Sequence, residues 1–367
     1  LLSYTALGLI LGNTAFADVL KVAVDIAPVH SLVSRVMEGV GTPKLVIPAG
    51  ASPHGYSLRP SEAKALQDAD MVIWMGEDLA PWMEKSVETL SKGAEVITLL
   101  EESETKLLDF REGALFEEHD HGDHDDHDDH DHDKDHDDHD DHDDHDKDHD
   151  DHDHDKDHDD HDDHDDHDKD HDDHDDHDDH DHDKDHDDHD DHDEHAHGEQ
   201  DPHAWLSVEN AQTWLNLVAG KLSAADPENA GVYFANAAEA RAEIDALVKE
   251  VNSILEPVRG RNFVVFHDAY QYFETSFDFP AAGAISLGDA SDPSAARIAE
   301  IQGRVRNEGI NCVLSEPQYN PNLVETVLSG TDAKTGIIDP LGSNLEPGPK
   351  LYGDLIRNMA KALAGCL

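Results

Sequence analysis

Four histidines stand outside one repetitive tract of this chain: His30, His54, His203 and His267. Imidazole nitrogens are borderline-soft donors, suited to Zn²⁺ at about 2.0–2.1 Å. Three of the four share a setting. His54 lies in IPAGASPHGYSLRPSEA, past a strand-like run and ahead of a helix-like one. His203 lies in DPHAWLS, where the tract ends and a helix begins, and His267 ends the apolar run in FVVFHDAYQYF. One such histidine alone would be read as a hydrogen-bonded structural group. Three at element junctions point to a metal-binding set, because ligands of open α/β sheets sit beyond the carboxyl ends of strands. His30, early in the helix-like PVHSLVSRV, takes the structural reading. Asp268 in FHDAY and Glu316 in SEPQ are candidates for carboxylates that orient such histidines. Glu316 could equally be a buried carboxylate bonded to backbone.

The other 27 histidines fall in residues 119–197, with 44 Asp and five Lys, mostly as repeats of Asp-Asp-His. This tract carries −40 of the formal net charge of −60. With almost no apolar residues it cannot bury a core, and it is expected to be disordered when metal-free. Its composition points to weak, exchangeable binding of several zinc ions, against the plainer reading of a solvated polyanion. Near pH 5 its imidazoles charge and metal should leave. The remaining 288 residues are moderately acidic and otherwise ordinary, enough for two modest domains. No basic stripe exists, so nucleic-acid binding is not expected.

Residues 1–17, LLSYTALGLILGNTAFA, read as an export signal truncated at its start, with an A-x-A pattern ending at Ala17. That places the protein outside the cytosol, where the two cysteines, Cys312 and Cys366, are most simply a disulfide. A loop of about 54 residues would then be closed, for about 4 kcal/mol in the chain-entropy model. Two separate buried thiols are the alternative.

Elements must place these groups. Apolar runs at 19–24, 45–47, 71–74, 96–99, 263–266, 284–287, 312–314 and 336–338 read as strands. They are apolar throughout, as parallel strands covered on both faces should be. Helix-like stretches at 29–38, 61–68, 81–90, 208–224, 293–307, 322–328 and 351–364 alternate with them. The expected fold is α/β: two lobes with mainly parallel sheets joined by one long rigid helix, with a disordered Asp/His-rich loop. The first lobe is expected over 18–226 including the 119–197 loop, the linking helix over 227–258, and the second lobe over 259–367. Asp226-Pro227 marks the start of the helix, and Ile244, Leu247, Val248, Val251, Ile254 and Leu255 keep helical spacing. A break near Asn236 into two shorter helices is the alternative.

Several motifs together resemble the periplasmic zinc-binding proteins of ABC uptake systems (ZnuA type, cluster A-I metal-receptor family). They are AGASPHGYSLRPSEAKAL, VIWMGEDLAPWME, DPHAWLS, FVVFHDAYQYFE, CVLSEPQYNP and IIDPLG, in the family's order, and the likeness covers essentially 19–367. The tract stands where the family places a variable His-rich loop. The resemblance implies one metal ion between two lobes, delivered to a membrane ABC permease. It maps the family's three histidine ligands to His54, His203 and His267, and a closing aspartate to Asp339 in I-D-P-L-G, where water or another carboxylate could stand instead. Manganese- and iron-binding relatives carry Glu at the third position, so histidine there favours zinc. The family's cysteine pair maps to Cys312 and Cys366. Val208 departs from the pattern, since many members have Pro after W-L-S.

The expectation is therefore a periplasmic, monomeric zinc receptor that is not an enzyme. No H-E-x-x-H, G-x-S-x-G or P-loop is present, though an open metal position beside Asp268 leaves a metallohydrolase as a minor competitor. The other readings are zinc storage with the tract as main actor, and the same fold carrying Mn²⁺ or Fe²⁺.

Overall fold

The computed structural model describes residues 19–111, 200–286, 293–319 and 321–367. The expected signal at 1–17 and the 119–197 tract lie outside the described residues.

Among the described residues, eight short strands form two four-stranded sheets, each parallel throughout. The first has the order β2-β1-β3-β4, from β1 (Val22–Val24), β2 (Lys44–Leu45), β3 (Met71–Trp74) and β4 (Glu95–Thr98). The second has the order β6-β5-β7-β8, from β5 (Asn262–His267), β6 (Gly283–Ser286), β7 (Ile310–Ser315) and β8 (Lys334–Ile337). The central strands are buried along their length, β1 as VAV and β3 as MVIW, because helices cover both faces. The edge strands β4 and β8 are more exposed and carry Glu95 and Lys334, charges that discourage pairing with another chain.

Both sheets follow one pattern. The first strand in sequence lies inside, the second pairs on one side of it, and the third on the other. Chain direction across the sheet thus reverses between β1 and β3, and again between β5 and β7. Such a reversal opens a crevice at the carboxyl ends of the two strands.

The helices are α1 (Ala27–Val36), α2 (Pro60–Gln67), α3 (Pro81–Leu90), α4 (Val208–Ala225), α5 (Ala230–Leu255), α6 (Gln271–Phe277), α7 (Ala295–Asn307), α8 (Pro321–Leu328) and α9 (Leu351–Cys366). Proline opens α2 and α3, where its missing N–H costs nothing. Ser207 and Ser294 cap α4 and α7 through their hydroxyls.

α5 is one uninterrupted helix of 26 residues, about 39 Å long at 1.5 Å per residue. Its buried stripe is Tyr233, Ala237, Ala240, Ile244, Leu247, Val251 and Leu255, and it packs on α1, α4 and α9. No break occurs at Asn236. Instead its amide donates to the carbonyls of Val36 and Glu38 at the end of α1 (2.9 and 2.8 Å). Arg35 of α1 pairs with Glu239 and Glu243, and Arg357 of α9 with Glu250, so helices from both ends of the chain are fastened to α5.

Cys312 of β7 and Cys366 at the end of α9 form a disulfide, with Cα atoms 5.7 Å apart. The alternative of two thiols is thereby excluded. α6 was not expected: its seven residues hide in the aromatic stretch after His267.

Candidate metal centre

His267 is the last residue of β5, and Glu316 directly follows β7. They therefore flank the crevice of the second sheet. His203 stands before a 3₁₀ turn over Ala204–Leu206 that leads into α4. His54 lies in the loop between β2 and α2. That loop is held by Trp82, whose indole N–H donates to the Pro53 carbonyl (2.7 Å). Tyr56 and the Arg59 amide both bond Glu62 at the start of α2.

The structure brings these three histidines together. Ring centroids are 5.4 Å apart for His54–His203, 5.3 Å for His203–His267 and 6.3 Å for His54–His267. One ligand nitrogen from each lies within 4.8 Å of the others. His203 and His267 are 1% and 3% exposed, while His54 is only partly covered and forms the outer wall. His30 is not among them: its ring nitrogens face the Pro43 carbonyl and the Ser34 hydroxyl, a buried structural role, and burial lowers its pKa.

Two of the rings are aimed by carboxylates. His267 Nδ1–H donates to Glu316 Oε1 (2.6 Å), and His203 Nδ1–H donates to Asp201 Oδ1 (2.7 Å). A carboxylate accepts only, so it fixes the tautomer with the proton on Nδ1 and the lone pair on Nε2, ready for a metal. Asp201 was missed by sequence reasoning. Its signal was local: in Asp201-Pro202-His203 the side chain also accepts from the His203 backbone N–H (2.9 Å), as Asp does two residues ahead in a tight turn.

Between the three rings is a cavity of about 10 Å³, also lined by Trp205, Glu316, Gln318, Tyr319 and Pro340. That is room for one sphere the size of a water molecule. A space of that size lined by three imidazoles suits a single ion. A groove of about 420 Å³ between α1, α5 and α9 is larger, but it holds no imidazole.

The structure places the remaining candidates differently from the sequence reading. Asp339 follows β8 but does not join the histidine group. Its oxygens accept from the backbone N–H groups of Leu341, Gly342 and Ser343, from the Ser343 hydroxyl and from the Gln318 amide. Asp268 is turned toward Arg111, which also pairs with Glu274 at 2.7 Å. Burial raises the Asp268 pKa, and the Arg111 guanidinium partly offsets that. Tyr270, fully buried, has its phenol pKa pushed well up by burial and by the Glu316 charge.

Two parallel α/β sheets joined by a single long helix define a class, the metal-receptor type of solute-binding protein. The chain matches the model of the zinc-uptake complex component A, periplasmic, over residues 22–366, and it belongs to that family. The high-affinity zinc uptake system protein ZnuA of Brucella abortus is 44% identical over 346 residues, 94% of this chain and 91% of the relative. The protein of the same name from Paracoccus denitrificans is 43% identical, over 96% of this chain and 93% of its own. Among solved structures, a crystal structure of ZnuA has a TM-score of 0.65 at 17% identity, covering 95% of this chain and 99% of the other. The solute-binding protein FpvC from Pseudomonas aeruginosa, in complex with Mn²⁺, has the same TM-score at 17% identity over 95% of this chain and 98% of its own. At that identity the two structures speak to fold alone.

Proposed function

We propose that this chain captures one Zn²⁺ in the periplasm through His54, His203 and His267 and hands it to an ABC permease. Membership of the zinc-uptake family supports zinc, periplasm and import. The observation that carries the site is three converging imidazoles around a cavity for one ion, two of them aimed by buried carboxylates. Three nitrogen donors favour Zn²⁺ over the oxygen-seeking Mn²⁺. No helix among the described residues is long and apolar enough to cross a membrane, and membership of an uptake complex supports delivery to a separate permease.

His203 and His267 sit on the rigid, buried side, whereas His54 is on a loop and partly exposed. Capture then begins on the inner pair and is completed when His54 closes, and release runs in reverse. Residues 18–226 and 259–367 act as the two lobes, with 227–258 between them, and the receptor works as a monomer. Binding and release need no chemical step, so no residue is assigned a catalytic role.

The tract at 119–197 collects further zinc weakly. Its 27 histidines also favour a second reading, in which storage is the main activity. Stoichiometry separates the two. Import requires one tight site beside the weak ones, and a variant lacking 119–197 keeps the tight site and loses the weak ones. The central test is chelator competition on His54→Ala, His203→Ala and His267→Ala. Each loses tight zinc binding by orders of magnitude while tract capacity stays. Unchanged tight affinity in all three sinks the assignment.

A further inference from the structure

Three imidazoles leave one position of a tetrahedral ion to be filled. We propose that the side-chain carbonyl oxygen of Gln318 fills it, and that Asp339 acts by clamping this amide and not by touching the ion. The proposal rests on the reading of the three histidines as ligands.

Gln318 lies two residues beyond Glu316 and lines the same cavity as the three histidines. Its Nε2 donates to Ser343 Oγ (2.8 Å) and Asp339 Oδ1 (3.3 Å). A carboxylate can only accept, so the NH₂ end of the amide must face Asp339 and the oxygen must face away. That oxygen is buried and accepts no hydrogen bond from the described residues. A buried carbonyl without a donor is destabilising. A cation in the adjoining cavity meets its need.

The cavity lining favours direct contact. The cavity is small, about 10 Å³, and Gln318 lines it together with all three histidines, so its oxygen is already among the groups that would surround the ion. Asp339 is a poor rival. Four of its five contacts fall on Oδ1, Oδ2 accepts the Ser343 N–H, and Asp339 lies outside the set of ligand atoms within 4.8 Å of one another. The resulting donor set is three neutral imidazoles and one neutral amide oxygen. The positive charge is answered one bond further out, by Asp201 and Glu316 on the far nitrogens of His203 and His267. A set without an anionic ligand suits Zn²⁺ and Co²⁺ and is poor for Mn²⁺, which prefers carboxylates.

The experiment uses Co²⁺ as the probe on the full chain lacking only residues 119–197, with its visible ligand-field spectrum as readout, and chelator competition for zinc. Gln318→Leu keeps the volume and removes the oxygen. It is expected to shift the Co²⁺ bands and to weaken zinc by about 10- to 100-fold, the range for groups that support a metal site. Gln318→Asn withdraws the oxygen by one methylene and is expected to do the same, and the metal-free melting point of each variant checks folding. Asp339→Ala is expected to change the spectrum less than Gln318→Leu. A wild-type spectrum and affinity in both Gln318 variants overturns the proposal, as does a shift in Asp339→Ala that the Gln318 variants lack. His267→Ala is the separate control. If it keeps the Co²⁺ bands, the three-histidine site itself is wrong, whatever Gln318 does.

Discussion

Replacing Arg111 by Met should be among the most destabilising single changes at the described residues. Arg111 reaches across 157 positions of sequence to Asp268, and also pairs with Glu274. The guanidinium side chain is 17% exposed, and the two carboxylates are 4% and 6% exposed. Methionine keeps most of the packing but leaves two buried acids side by side without a cation. Removing one partner of a buried ion pair costs about 3–5 kcal/mol, and two stranded carboxylates place this case toward the upper end. Against a usual stability of about 5–15 kcal/mol, that is a large share. The pH dependence gives a second signature. Burial already raises the Asp268 pKa in the presence of Arg111, and without it the shift grows. A carboxyl with a raised folded-state pKa penalises the fold above that pKa and ceases to do so as pH falls through it. Arg111→Met should therefore lose most stability at pH 8 and less at pH 5. Urea unfolding of the metal-free protein at both pH values is the assay, and Arg111→Met combined with Asp268→Asn should recover part of the loss. A cost under about 1 kcal/mol at pH 8, the range of exposed salt bridges, would refute the reasoning.

Other outcomes follow from single contacts. Asp201→Asn and Glu316→Gln remove the anionic partners of His203 and His267, and each should weaken zinc by about 10- to 100-fold with little change in metal-free melting. Chelator competition and calorimetry check this together. Asp25 is buried at the end of β1, accepts from the Met75 and Ile26 amides, and has its pKa raised to about 7 by burial. Its raised pKa makes the fold lose stability as pH climbs from about 4 through about 7, so folding in that window should take up a proton and Asp25→Asn should flatten the profile. Reducing the Cys312–Cys366 bridge opens a 54-residue loop and should lower stability by about 4 kcal/mol. Urea midpoints with and without reductant, and a mass gain of two hydrogen atoms, would show it.

The strands were legible because parallel sheets covered on both faces demand unbroken apolar runs, and these have no other use in the chain. Residues 71–74 are strand end to end as expected, and 263–266 lie within the slightly longer β5. The long helix was legible from its stripe, and the feared break at Asn236 is a side chain reaching out to α1. α6 was hidden, since seven residues rich in Tyr and Phe look as much like strand as helix. At the site, residue types pointed to the three histidines that the fold brings together, but not to the work of their neighbours. Asp-Pro occurs at both Asp201 and Asp339, and each aspartate bonds a backbone N–H two residues on. The turn chemistry was readable in both. Only the fold shows that one also meets an imidazole and the other the Gln318 amide. Arg111 could not be found from sequence, because its partners lie beyond the tract.

The three imidazoles would also sort ions by how readily they shed water. Each ring that binds takes the place of a water, so an ion held by His54, His203 and His267 as proposed gives up much of its shell. Mg²⁺, abundant and held tightly by its own hydration, gives up that shell reluctantly and would gain three nitrogen donors it does not favour. Its dehydration would thus already count against it. With His54 the one partly exposed histidine of the three, release on the proposed reading would start there, where water can reach the ion first.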